Sequence, residues 1–505
     1  DAEWNEFGRI ALERGLFAEV SYDDIFSVNG VKVLSGAFAV PKVKGEQRLQ
    51  RFILNLHNCI WSLSKIGELA DPRLPYPSAF CTILVHEAEC LVAGQEDESC
   101  SFFQYRLPAK WVKFLALSKP VVLASGRTTY VGLTGVPMGW SASVSVLQLI
   151  QRYFAQLAGL SQSQEVRPDA LFPSFRKGSI YSLYVDNYAQ LNKIRLPFLT
   201  FETAAPGALA EQKAFVAVKE KFGVKMNPKD SMSGQEVFDM LGAHFDGQTV
   251  AVDRKKRCLL IFVLYLILHT VDGVSYGQIA GVIGIISHCF LYKRCLFSVF
   301  ERTYIWLSSF RGGRFIPSEV RAELRAASCL LIFAESDLTK KVDPYLRSSD
   351  ASLWGGAFGV TTRPFIHSNA EAEELLRRID MRGTSIRLDG KDPIDARRGE
   401  LAAGALRDRR PVLPLPAEWR VEVACPFGKR PFCKSHQHIT ELEAVTHTLQ
   451  LRKIVGSAPT VLENLTTGID TPDDSTSSLA TEGERRIFFG LDSLGAHGAM
   501  AKGRS

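Results

Sequence analysis

The chain has 505 residues, 46% hydrophobic and 23% charged, which excludes a disordered or fibrous polymer and exceeds one ordinary domain, so two or three packed domains are expected. Lys and Arg number 60 against 54 Asp and Glu, and the net charge of +6 permits a polyanionic partner without requiring one. The ten cysteines, scattered from Cys59 to Cys433 without paired spacing, exclude a disulfide framework and read as reduced thiols of an intracellular protein, with the compartment left open.

The opening "DAEWNEFGRIALERG" has no basic-then-apolar signal pattern and reads as an internal start of a longer product. From Val31 to Leu56, alternating apolar residues break at a Lys/Gly-rich turn and resume, which predicts a β-hairpin with a basic tip. "CTILVHEAECLVAG" and "SIYSLYVDNYAQL" are strand candidates. Between them, "SASVSVLQLIQRYFAQLAGL" has helical periodicity, with Ser141 as its N-cap.

The apolar run "CLLIFVLYLILH" at 258–269 is shorter than the ~20 residues of a membrane span, so a buried helix and no membrane partner are expected. Residues 274–310 read as connecting helices. "YLRSSDASLWGGAFGV" at 345–360 is a strand with an acid at its middle and a Gly-rich turn, opening a second α/β unit. Residues 368–400 and 466–484 are polar and loop-like.

Chemistry concentrates at "YSLYVDNYAQL", residues 181–191, where a strand and a turn present Asp186 followed by Asn187. Nucleotidyl transfer with two metal ions needs at least two carboxylates, from different strands, holding ions ~3.5–4 Å apart. Around this turn stand, in chain order, "SGAFAVPKVKGEQRLQRFILNL", "AGQEDESCSFFQYRLPAKW", "GLTGVPMGWSASVSVLQ" and "VKMNPKDSMSGQEVFDMLGAHFDG". Then come "SSDASLWGGAFGV", "HITELEAVTHTLQLRKI" and "RRIFFGLDSLGAHGAMAKGRS".

In this order the motifs resemble a retroelement reverse transcriptase, an RNA-directed DNA polymerase followed by a ribonuclease H domain, from roughly Val31 to Ser505. The resemblance implies an α+β right-hand polymerase (fingers, palm, thumb) followed by an α/β ribonuclease H-like domain. It divides the chain into fingers and palm at 1–250, a helical thumb or connection at 251–340, and a C-terminally truncated ribonuclease H-like domain at 341–505.

The resemblance also implies site residues. Lys44 and Arg51, with Lys42 and Arg48 as alternatives, would meet the incoming triphosphate. Counting back from Phe102 and Phe103 puts Glu98 at the first metal-ligand position and leaves Asp97 one residue out of register, which in a strand is the opposite face. Phe103 would screen the ribose 2′-hydroxyl. Gly139 with Trp140 and Gln148 would position template and nucleotide, with Met138 where many relatives have Gln. Asp186 matches the first acid of the catalytic pair and Asn187 replaces the second. Lys229 would neutralise pyrophosphate charge or donate a proton, next to a primer-gripping hairpin in "MLGAHFDG".

In the second half, the implied metal ligands are Asp350, Glu441 (with Glu443 as the alternative) and Asp492. The implied cofactor is Mg²⁺ or Mn²⁺ at two-metal sites, and the implied partners are an RNA template, a DNA primer, RNA–DNA hybrid and dNTPs. With Glu98 and Asn187 both nonstandard, polymerisation is expected to be impaired; a noncatalytic nucleic-acid-binding relic is the alternative. Cys425, Cys433, His436 and His438 form a rival cluster without zinc-type spacing, and read as a strand and turn.

Overall fold

A computed structural model describes residues 2–44, 47–56, 72–140, 142–197, 200–229, 231–270, 273–308, 315–351, 355–379, 419–426 and 486–490. In the first part, helix α1 (Ala2–Glu13) precedes β1 (Phe17–Val20), a short ribbon of β2 (Ser27–Val28) and β3 (Val31–Lys32), and a longer hairpin of β4 (Gly36–Lys44) and β5 (Gln47–Asn55). Strand β6 (Glu89–Asp97), helix α2 (Ser101–Gln104), β7 (Val121–Val122), β8 (Thr128–Leu133) and helix α3 (Ser143–Leu157) follow. The alternating pattern of residues 31–56 thus resolves into ribbons, the longer one paired by backbone as far as Lys44↔Gln47.

Next come β9 (Ile180–Tyr184), β10 (Asn187–Arg195), helix α4 (Phe201–Ala204), helix α5 (Pro206–Lys221) and β11 (Met232–Gln235). The central sheet has the order β11-β6-β10-β9, all antiparallel, with β10 in register against β6 from Asn187↔Asp97 to Arg195↔Glu89. Period-two alternation gives this sheet two different faces. Cys90, Val92 and Tyr188 face the layer that holds α3 and α5, while Leu91, Ala93, Ala189 and Leu191 face a second core. Of the segment "CTILVHEAECLVAG", only the part from Glu89 is strand; Pro77–Thr82 is a 3-10 helix.

That second core is closed by a small antiparallel sheet of β12 (Phe238–Met240), β13 (Ala243–Phe245), β14 (Thr249–Ala251) and β15 (Glu335–Asp337). The turn between β12 and β13 has Leu241 and Gly242 both at positive φ, the primed geometry whose twist suits a two-residue hairpin. Four helices pack on it: α6 (Arg254–His269), α7 (Tyr276–Phe290), α8 (Glu301–Ser308) and α9 (Ser318–Leu330). Asp253 caps α6, and Ser275 with Gln278 forms a capping box on α7.

Helix α6 departs from the buried helix expected of its apolar run. Leu260, Leu264, Ile267 and Leu268 are buried, but Leu259, Phe262, Tyr265 and Leu266 are exposed. Its 16 residues rise about 24 Å, short of a ~30 Å hydrocarbon core. Among the described residues, no helix is long and apolar enough to cross a membrane.

The last sheet has the order β18-β17-β16-β19, built from β16 (Val342–Ala351), β17 (Gly355–Thr361), β18 (Trp419–Pro426) and β19 (Arg486–Gly490). β16–β17 and β17–β18 are antiparallel and β16–β19 is parallel. Within the stretch read as a loop from 368, residues Asn369–Ile379 instead form helix α10. Its Ala372 and Leu376 pack with Ile366 against Leu84, and Glu373 pairs with Lys193 of β10 at 2.6 Å, joining it to the first half of the chain. An apolar face that finds a tertiary partner overrides a polar composition.

Truncating Leu264, fully buried on α6, is expected to lower stability by about 2–5 kcal/mol. Phe262→Ser on the exposed face should change it by no more than about 0.5 kcal/mol. Denaturant midpoints of Leu264→Ala and Phe262→Ser measure both.

Candidate active site

Strands β9 and β10 close a two-residue turn at Val185–Asp186, with Tyr184 paired to Asn187. Val185 sits at φ 60°, a left-handed conformation that a β-branched residue takes only when its surroundings hold it there. Gln148 of α3 supplies that hold. Its Nε2 donates to the Leu183 carbonyl at 2.9 Å and its Oε1 accepts from the Val185 amide at 3.0 Å. Fully buried and spent on the turn, Gln148 is a clamp on the hairpin here, not the substrate-facing residue expected from sequence.

Asn187 is the direct ladder partner of Asp97, and direct partners project to the same face. That is the face of Gln95, whose amide donates to the Asp239 carbonyl, and of Asp97, whose carboxylate accepts from Asn227 at 3.1 Å. Asp97 and Asp186 are both partly exposed, and Asn187 is exposed. Burial, and next the charge of Asp97, push the Asp186 carboxyl above the usual carboxylate range, with a smaller push from Glu98 and an opposing one from Lys219.

Glu98 projects the other way. It is 2% exposed and accepts from Ser101 Oγ at 2.5 Å, Tyr105 OH at 2.7 Å and Gln151 Nε2 at 2.7 Å, and it pairs with Lys219 Nζ of α5 at 2.8 Å. Lys219, itself fully buried, also lies 4.4 Å from the Phe215 ring centroid. Burial lowers the Lys219 ammonium from its ordinary range, against the opposing pull of Glu98. The sequence expectation is therefore reversed in the geometry: Asp97 lies on the open face beside Asp186, and Glu98, counted as the metal-facing acid, is consumed inside the helical layer. The physical reason is the pleat, since adjacent residues at the end of β6 cannot share a face.

The other expected residues are spread around this turn. Gly139 has φ 95°, and a Cβ there would stand 3.3 Å from the Leu54 carbonyl, so a side chain would be both strained and crowded. Trp140 is buried against Trp111, with ring centroids 5.5 Å apart. Phe103 is half-buried against the core that Trp140 shares. Arg51 is exposed on β5, paired with Val40; Lys42, Lys44 and Arg48 lie on the same hairpin by backbone. Lys229 is an exposed turn residue. Lys219, Tyr105 and Gln151 escaped the sequence reading, yet Lys219 continues the buried series Ala208, Gln212, Phe215 along α5. A lysine on the buried stripe of a helix was the available signal.

In the second half, Asp350 lies in β16 opposite Ala357. The parallel register Ser348↔Gly490 runs β19 toward the same end of the sheet. Ser141, Cys433, His436, His438, Glu441, Glu443 and Asp492 lie outside the described residues. Among the described residues no group of three or more His, Cys, Asp and Glu side chains is arranged to hold a metal ion. What this end of the sheet offers is Asp97 and the Asn187 amide on the open face and the Asp186 carboxylate in the turn beside them.

Two measurements follow from these environments. Lys219→Met leaves a buried, unpaired Glu98 and should cost about 3–5 kcal/mol, with Glu98→Gln/Lys219→Met recovering part of that loss in chemical denaturation. Because the folded Asp186 carboxyl titrates above its unfolded value, its ionisation works against folding, and stability falls as pH rises through that window. Asp186→Asn should therefore melt higher than the parent at pH 7 in chelator, and the gap should close below about pH 3.9, where both states of the parent are protonated.

No protein-family model matches the chain, and no curated protein matches it. Among solved structures, it is similar to the foamy viral protease-reverse transcriptase in complex with dsDNA, with a TM-score of 0.47, 13% identity, and coverage of 96% of this chain and 80% of that one. It is also similar to the foamy viral protease-reverse transcriptase dRH in complex with ds DNA, with a TM-score of 0.45, 13% identity, and coverage of 80% and 68% respectively.

Proposed function

We propose that the chain is a polymerase-type nucleic-acid-binding protein that extends a DNA primer on an RNA template. The observation that carries this reading is the pairing of Asp97 with Asn187 on the open face of the sheet, next to Asp186 in a turn braced by Gln148, close enough that the charge of Asp97 raises the Asp186 carboxyl. Two carboxylates are the minimum that nucleotidyl transfer with metal ions requires, and here one stands at the end of β6 and the other in the β9–β10 turn. The proposed site keeps both, and only the third position, Asn187, lacks its charge.

Mg²⁺ or Mn²⁺ fits this pair, since the burial and the neighbouring Asp97 charge that make the Asp186 carboxylate costly to ionise are offset by a divalent cation. Asp97 and Asp186 would hold it, with the Asn187 amide oxygen as a weak neutral donor, and the ion would supply Lewis-acid stabilisation of phosphoryl charge. Glu98 does not belong to the proposed ligand set. Its role is to hold Lys219, and through it the junction of β6 with α5.

The remaining assignments extend this reading along the chain. Arg51 and Lys44 on the basic hairpin would counter the triphosphate, Phe103 and Gly139 would shape the nucleotide side, and Lys229 would meet pyrophosphate. Asp350, Glu441 and Asp492 are proposed as the ligands of a ribonuclease H-type site acting on the RNA–DNA hybrid. The reading divides the chain into fingers and palm, a helical thumb or connection, and this hydrolytic domain. A second reading, binding without polymerisation, is favoured by one observation, the amide at position 187.

Primer extension on an RNA template with Mg²⁺ or Mn²⁺ tests the proposal. The parent chain should extend slowly and Asn187→Asp faster, while Asp97→Asn and Asp186→Asn should fall to background and Glu98→Asp should bring no gain. Silence from both the parent and Asn187→Asp, with primer–template still bound, would select the second reading. Unchanged extension by Asp97→Asn would remove Asp97 from the site.

A further inference from the structure

A cavity of about 580 Å³ lies away from the Val185–Asp186 turn, between the segment 162–177 and helix α10. Its wall joins β9 at the far end of that strand from the turn, through the Glu165↔Tyr181 bridge and a hydrogen bond from the Val166 amide to the Tyr181 carbonyl at 2.7 Å. The volume falls within the ~300–1,000 Å³ typical of small-molecule sites.

Its charge is uneven once the ion pairs are followed outward. The carboxylates of the wall each have a cation of their own: Glu165 pairs with Arg152 at 2.7 Å, Glu373 with Lys193 at 2.6 Å and Glu374 with Arg377 at 2.5 Å. Asp169, the neighbour of Arg167 at 3.5 Å, is itself paired with Arg73 at 2.7 Å. Arg176 and Lys177 line the same cavity, exposed and with no carboxylate partner among the described residues. With Arg167 facing Asp169, the surplus positive charge of the cavity comes from the exposed Arg176 and Lys177.

Two buried polar atoms on the lining residues also lack hydrogen bonds among the described residues. Gln164, 6% exposed, donates from Nε2 to the Ser174 and Ser179 carbonyls, but its Oε1 accepts nothing. Arg167 Nε makes no hydrogen bond and meets only the Asp169 carboxylate, at 3.5 Å. A buried acceptor left without a hydrogen bond is destabilising, a deficit that a donor on a bound ligand would remove.

We propose that this cavity binds a small phosphorylated molecule of nucleoside-monophosphate size, its phosphate held by Arg167, Arg176 and Lys177 and a hydroxyl or amino group donating to Gln164 Oε1. Guanidinium and ammonium groups together suit a phosphomonoester. The site is separate from Asp97 and Asp186 and stands whether or not the chain polymerises.

Calorimetric titration of the full chain with AMP, adenosine and inorganic phosphate tests it. AMP should bind, with adenosine and phosphate each at least tenfold weaker. Arg176→Ala/Lys177→Ala, at exposed positions, should weaken AMP tenfold or more, Gln164→Met should weaken AMP while leaving phosphate unchanged, and Asp97→Asn/Asp186→Asn should keep the parent affinity. No heat with AMP, AMP and phosphate bound equally well, or binding that survives Arg176→Ala/Lys177→Ala would each overturn the proposal. Loss of AMP binding in Asp97→Asn/Asp186→Asn would overturn it too, by moving the ligand to the other site.

Discussion

The ion pair between Glu98 and Lys219 is the constraint on which the candidate site rests. Both side chains are fully buried, and three further donors converge on the same carboxylate from Ser101, Tyr105 and Gln151. A charge taken out of water is tolerated only when it is paired and hydrogen-bonded. The carboxylate therefore ties the end of β6 to α2, α3 and α5 at one point, and a shift in any of these elements would leave a donor or a charge unmet. Buried polar clusters of this kind specify one arrangement more sharply than apolar packing does.

With Glu98 held inward, the pleat sends Asp97 outward. The same logic acts on the neighbouring strand, where Tyr188 stacks on Phe215 with ring centroids 4.5 Å apart in the helical layer and Asn187 is left on the open face. The helices thus do more than cover the sheet: α5 anchors Glu98 and Tyr188, and α3 contributes Gln151 to Glu98 and Gln148 to the strained turn. Local strain at Val185 persists because the surrounding hydrogen bonds over-determine it. The raised carboxyl of Asp186 has the same origin, a charge kept close to Asp97 in a half-buried turn.

The opposite face of the sheet serves a different purpose. Leu91, Ala93, Ala189 and Leu191 continue into the large core formed with Phe238, Phe245 and the helices α6 to α9. Rigidity beneath the site comes from this core, and the positions of Asp97 and Asn187 at its upper edge are where the same strand face leaves the core for solvent. Helix α10 adds a further tie, through Leu84 and through the Lys193–Glu373 pair, between the last sheet and the strand that carries Asn187.

Much of this was legible in the residues. Alternation marked the β4–β5 hairpin and β9–β10, periodicity marked α3, and the order of motifs brought Asp186, Asn187 and the basic hairpin into one reading. These are local properties, determined by period two, period 3.6 and turn chemistry. The face of each acid at the end of β6 was not local: it depended on whether position 97 or 98 met Lys219, a residue more than a hundred positions away. Gln148 likewise looked like a residue for substrate until the turn it clamps was folded against it. The apolar run of α6 told its helicity but not that one face stays in water, and the charged stretch from 369 hid a helix whose apolar side finds Leu84. Sequence determined which segments are helix or strand and which residues carry chemistry; tertiary packing decided which way each side chain faces, because burial and pairing across distant elements outweigh any preference written within one segment.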